Sequence, residues 1–66
     1  MSKEYDFFLE NLSMLMRSAL PVREAVSTLK DEIKSKKVRK AITIIENEID
    51  AGSKMSTALG KSGLLS

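Results

Sequence analysis

Sixty-six residues without a single cysteine or histidine leave this chain few ways to hold a fold together. A domain of about 60 residues buries only roughly 60% of the surface its unfolded chain exposes. Below about 70–80 residues a core alone rarely supplies more than ~3–5 kcal/mol, and natural domains of that size usually add a staple. The missing cysteine excludes disulfides, thiolate metal sites and thiol nucleophiles. The missing histidine removes the commonest general base, the commonest zinc ligand and the usual switch near neutral pH. The staple left over is a partner: a second copy, another protein, or further helices of the same domain.

Composition narrows the class. Hydrophobic residues make up 42% and charged residues 30%, a balance that folds rather than stays disordered. Eleven basic and nine acidic groups give a net charge of +2, too even to argue for nucleic-acid binding by itself. No apolar run approaches the ~20 residues that span a bilayer. The start, Met1-Ser2-Lys3-Glu4-Tyr5-Asp6, is charged and lacks the apolar stretch of a signal peptide. The expected setting is therefore soluble and cytoplasmic.

The apolar pattern is helical throughout, with no alternating strand and no hairpin turn signal. A first helix is expected over about 3–19, with Ser2 as its N-cap and Phe8, Leu12, Leu15, Met16 and Ala19 as its stripe. Leu9 and Met14 lie off its centre. Pro21 disfavours the α region at Leu20 and suits the first position of a following helix. That second helix is predicted over 21–34, with Val22, Ala25, Val26, Leu29 and Ile33 inward. Ser35 should cap a third helix over 36–51, whose stripe is Val38, Ala41, Ile42, Ile45 and Ile49. So short a connection makes the second and third helices an antiparallel hairpin. Gly52 fits a left-handed helix end, and Ser53 should cap a short fourth helix over 54–59 with Met55, Ala58 and Leu59 inward, ended by Gly60. The fold class is all-α: a small antiparallel bundle of three amphipathic helices and a short fourth. Met14, Met16 and Met55 are expected to fill its core.

Catalysis finds little support. The serines and threonines have no histidine to activate them, and Ser53 beside Lys54 cannot face it on a helix. Gly60-Lys61-Ser62 is only the tail of a phosphate-binding loop. Glu46 and Asp50 share a face while Glu48 points away, so two carboxylates fall short of the oxygen count that calcium needs, and a solvated face is the better reading. Neither a cofactor nor a metal is expected. The basic set Lys34, Lys36, Lys37, Arg39 and Lys40 surrounds the start of the third helix, where cations oppose the helix dipole. An antiparallel neighbour would bring Arg23 to the Glu46–Asp50 end, and Asp31 and Glu32 to the Lys36–Arg39 end. The functional alternative is that this corner touches lipid head groups or an acidic partner.

The run Phe8-Leu9-Glu10-Asn11-Leu12-Ser13-Met14-Leu15-Met16-Arg17-Ser18-Ala19-Leu20-Pro21-Val22 resembles the opening of the type II secretion system F domain. Glu24-Ala25-Val26 with Leu29 resembles that domain's second helix, and Val38-Arg39-Lys40-Ala41 the start of its third. Ile49-Asp50-Ala51-Gly52-Ser53-Lys54-Met55-Ser56-Thr57-Ala58-Leu59 resembles its most recognisable stretch. Ala19, Ser35-Lys36 and Thr57 depart from the family's usual glycine, Asn-Pro and acidic residue. The likeness runs over residues 8–65 and implies that the chain, a single domain over 1–66, is the first part of a longer six-helix domain. It further implies a platform protein of type II secretion or type IV pilus assembly, on the cytoplasmic side of the inner membrane. Such a domain is a non-catalytic scaffold that engages other subunits, the assembly ATPase among them, and meets the membrane through downstream transmembrane helices.

Leu9, Met14, Leu20, Ile44 and Leu64 are the positions expected to form a second apolar surface, and a homodimer or higher oligomer is the expected staple. The rival class is a small helix-turn-helix module binding nucleic acid through the Lys36-to-Lys40 end of the third helix. Glu46, Glu48 and Asp50 would repel phosphate, which disfavours it.

Overall fold

The helical periodicity and its punctuation produce four α-helices in the computed structural model, which describes residues 3–64. They are α1 (Lys3–Met16), α2 (Val22–Lys30), α3 (Lys36–Asp50) and α4 (Met55–Ser62), and no strand occurs among the described residues. Helix α2 packs against α1 and α3, and α3 packs against α4. The expected cap Ser2 lies outside the described residues.

Each helix end has a local cause, and several differ from expectation. Helix α1 stops at Met16 rather than near Ala19. The amides of Arg17 and Ser18 bond back three residues, to Met14 and Leu15. The Ser18 hydroxyl then donates to the Leu15 carbonyl at 2.6 Å and accepts from the Leu20 amide at 3.2 Å. A serine thus closes the helix before the proline needs to. Pro21 sits one position earlier than expected, as the N-cap of α2 with φ −59° and ψ 140°, and its carbonyl accepts from the Ala25 amide.

Helix α2 ends at Lys30, short of Lys34. The amides of Glu32 and Ile33 bond back to Leu29 and Lys30 in a tighter turn, which still delivers the Ile33 side chain to the core. Ser35 caps α3 as expected: its backbone is extended and its hydroxyl accepts from the Val38 amide at 3.2 Å. At the other end Gly52 takes φ +89°; its amide bonds Ile49 and the Ser53 amide bonds Glu48, the paired pattern of a Schellman end.

The fourth helix differs most. Lys54, not Ser53, stands at its N-cap, without a side-chain bond. The Ser53 hydroxyl donates instead to Glu48 at 2.9 Å. Gly60 does not end the helix, which runs through it to Ser62; Gly63, at φ +80°, supplies the left-handed end. A glycine inside a helix costs about 1 kcal/mol relative to alanine, too little to break a turn that packs through Ala58.

The core joins Phe8 and Leu12 of α1, Ala25, Val26 and Leu29 of α2, Ile33 of the turn, Val38, Ile42 and Ile45 of α3, and Ala58 of α4. Ala41 is buried as well. The stripes of α2 and α3 are thus as the spacing predicts, with Val22 and Ile49 half-buried at their margins. On α1 the stripe shifts one turn toward the N-terminus: Tyr5 is only 1% exposed, whereas Met16 and Ala19 face outward. Met14, Met16 and Met55 do not fill the core as expected. Met14 and Met16 are 55% and 47% exposed, and Met55 lies half-buried at its edge. Among the described residues no helix is long and apolar enough to cross a membrane.

Candidate functional site

Polar side chains gather in two places, the α2–α3 interface and the corner where α2 turns into α3. On α2, Arg23, Ser27 and Lys30 stand at i, i+4 and i+7, one line along the helix. On α3, Glu46 and Asp50 stand at i and i+4 facing it. Glu46 is buried, at 8% exposure, rather than solvated. Its Oε2 accepts from Arg23 Nη1 at 2.8 Å and from Ser27 Oγ at 2.9 Å, and its Oε1 accepts from Lys30 Nζ at 3.0 Å. Arg23 Nη1 also donates to Ser27 Oγ. The same guanidinium grips Asp50, Nε to Oδ1 at 2.7 Å and Nη2 to Oδ2 at 3.3 Å. This is the Arg23 pairing that the antiparallel reading anticipates.

Burial pushes the Glu46 carboxyl up, but hydrogen bonds from Lys30, Ser27 and Arg23 outweigh it and hold the group below its ordinary value. Asp50 is likewise lowered by Arg23. Both Glu46 oxygens are filled by donors and two cations already neutralise the pair of carboxylates, so the cluster is an interhelical clamp. Glu48 turns elsewhere, accepting from Ser53 and, at 3.1 Å, pairing with Lys61. The three acids therefore do not converge, and no group of three or more metal-ligating side chains occurs among the described residues.

The second gathering is the basic corner. Here α1 contributes a side chain that sequence reasoning missed. The Glu4 carboxylate accepts from the backbone amides of Lys34 at 2.7 Å and Ser35 at 2.8 Å, and these two bonds lower its pKa. Arg39 also turns inward: its Nη1 donates to the carbonyls of Lys30 at 2.7 Å and Ile33 at 3.1 Å, the first already accepting from the Ile33 amide and the second left open by the turn after α2. The expected pairing of Asp31 and Glu32 with the Lys36–Arg39 end does not form. Ion pairs among the described residues join Arg23, Lys30 and Lys61 to Glu46, Asp50 and Glu48. An exposed pair is worth roughly 0–1 kcal/mol, so bridging the Lys30 and Ile33 carbonyls at the end of α2 takes precedence for Arg39. Lys34, Lys36, Lys37 and Lys40 are left exposed.

The residues expected to form a second apolar surface differ in burial. Leu9 and Leu20 pack against the margin of the core, Met14 is exposed, and Ile44 and Leu64 are half-buried on α3 and after α4. Phe7, at 41% exposure, was not anticipated; it stands seven residues from Met14, on the same line of α1. Phe7 also lines a shallow indentation with Lys3, Glu4 and Glu32, which sets it beside the basic corner.

The sequence profile of the family described as Type II secretion system (T2SS), protein F matches residues 8–66. No curated protein and no solved structure matches the chain. Neither that match nor the geometry favours the nucleic-acid alternative.

Proposed function

The chain belongs to the type II secretion system protein F family, which supplies platform proteins of secretion and pilus machines, and we propose that it acts there as a non-catalytic scaffold domain. In this reading it sits on the cytoplasmic side of the inner membrane. It engages other subunits of its machine, the assembly ATPase among them, and associates with a second copy of itself. The observation that carries the reading is the extent of the match: residues 8–66 take in the core positions contributed by all four helices. The family is non-enzymatic, and the commitment of buried Glu46 to Arg23, Ser27 and Lys30 supports the same reading here. Exposed Phe7, Met14 and Met16 offer α1 as the surface for contact.

Photocrosslinking residues at positions 7 and 14, placed in cells that make the protein, test this. Adducts with secretion or pilus subunits are expected. Adducts confined to unrelated proteins, together with unchanged secretion and pilus assembly after deletion, would refute the scaffold role. Sedimentation at micromolar concentration tests the self-association, which a stable monomer contradicts.

A further inference from the structure

The structure separates the cations of this chain into those it uses and those it does not. Arg23, Lys30 and Lys61 pair with carboxylates, and Arg39 closes the end of α2. Lys34, Lys36, Lys37 and Lys40 are exposed, and none of their ammonium groups has an ion pair or hydrogen bond among the described residues. We propose that these four lysines, with Ile44 on the same outward face of α3, form a docking surface for an anionic phospholipid bilayer.

Placement on the helix comes first. Lys36 and Lys40 are four apart, Lys37 and Lys40 three apart, and Ile44 follows Lys40 by four and Lys37 by seven. These spacings lie on one side of a helix, opposite the buried Val38, Ala41, Ile42 and Ile45. The stretch from Asp31 to Lys40 holds five cations against Asp31 and Glu32. Half-buried Ile44 extends the basic face with an apolar one, the composition that binds at a membrane interface.

Lys34 lies near the Glu4 carboxylate, but along α3 itself the arrangement works against the fold. Like charges at three and four residues repel, and cations in the first turn oppose the dipole of α3. The negative charge that this helix end calls for is brought in from α1 by Glu4. The lysines are thus kept against stability, which points to an outside partner.

The chemistry favours lipid over an acidic protein. Carboxylates on a folded partner are best recognised by the planar fork of arginine, and the arginine that stands among these lysines, Arg39, is committed inside. Lysines spread along a convex helix suit a diffuse field instead. A bilayer rich in anionic head groups presents such a field within a Debye length of its surface.

Vesicle co-sedimentation of the 66-residue chain tests the proposal, using phosphatidylcholine alone and an equal mixture of phosphatidylcholine and phosphatidylglycerol. Binding to the mixture only, falling as salt is raised, is the expected result. Each lysine near such a surface is worth about a fivefold change in binding, so Lys36→Gln, Lys37→Gln and Lys40→Gln together should weaken it roughly a hundredfold. The same triple variant should melt no lower than the parent, because the removed charges oppose the helix. Lys54→Gln, at an exposed site before α4, should bind like the parent, and Ile44→Ser should bind more weakly. Equal vesicle binding by the triple variant and the parent overturns the proposal. So does retention on immobilised polyglutamate with no vesicle binding, which assigns the lysines to an acidic protein.

Discussion

The Glu4 carboxylate of α1 accepts a hydrogen bond from the Ser35 amide at 2.8 Å, across 31 residues of chain, at the position where α3 begins. Ser35 itself caps the Val38 amide with its hydroxyl. The two residues therefore divide the work at one helix start: Ser35 satisfies a donor inside the first turn, and Glu4 satisfies the donors just before it. Glu4 also supplies a negative charge where Lys36 and Lys37 crowd the positive end of the dipole.

Replacing Glu4 by glutamine should lower the melting temperature and speed hydrogen exchange at the amides of Lys34 and Ser35. The amide keeps one acceptor and turns a donor toward the other N–H, so one of the two bonds is lost. Exchange rates at those two amides that match the parent's would show that the contact does not form in solution.

Glu46→Ala removes the centre of the α2–α3 clamp. Arg23 keeps Asp50 and Ser27, but the Lys30 ammonium and the Ser27 hydroxyl lose their acceptor at a site only 8% exposed on the carboxylate side. Hydrogen bonds to charged groups are worth roughly 1.5–3 kcal/mol, and the exposed side of Arg23 recovers part of the loss to water, so a cost of about 2 kcal/mol is expected. For a domain of this size that is on the order of a 10 °C fall in melting temperature. A chemical denaturation curve superimposable on the parent's would contradict it.

What the sequence made legible was the part decided by periodicity and local capping. Val22 to Ile33 and Val38 to Ile49 read as inward stripes because burial alone selects those positions. Ser35 and Gly52 read as helix ends because their chemistry acts within a few residues. The end of α2 and the reinforcement of the α3 start were not legible, since Arg39 and Glu4 reach them from other helices, and the early end of α1 hides behind Pro21 because Ser18 closes it first. Residue type alone makes Glu46 read as solvated; only the packing of α2 on α3 places Lys30 and Ser27 against it. The basic corner was legible as a cluster, but not that Arg39 belongs to the fold while its lysine neighbours do not. The exposed Phe7 has a signal in its seven-residue step to Met14, weaker than the inward stripe beside it.

Stability should depend on pH in one direction. Glu4, held down by the Lys34 and Ser35 amides, titrates below its ordinary 4.5. Glu48, held by Ser53 and Lys61, and Asp50, held by Arg23, are also lowered, from 4.5 and 3.8. Glu46 joins them despite its burial. For all four, the folded state holds protons less tightly than the unfolded one. The stabilisation is thus full above the unfolded values and is lost as pH falls through the folded ones. Thermal melts should show a plateau near neutrality, with no histidine to bend it, and a decline that starts as pH approaches 4.5 and steepens below. A protein that gains stability on acidification to pH 4 would reverse the sign.

Two glycines of the same half of the chain should respond oppositely to alanine. Gly52 holds φ +89° at the end of α3, where a side chain is strained whatever room surrounds it. Gly52→Ala is therefore expected to cost about 1 kcal/mol, the penalty of a left-handed backbone for an L-residue. Gly60 lies inside α4 with nothing within 4 Å of the place a Cβ would take. Gly60→Ala should gain close to 1 kcal/mol from helix propensity alone. Denaturant titrations of both variants separate the alternatives. Were α4 to end at Gly60, with that glycine in a left-handed turn, both substitutions would destabilise. A gain at position 60 beside a loss at position 52 requires the longer helix and the closing role of Gly63.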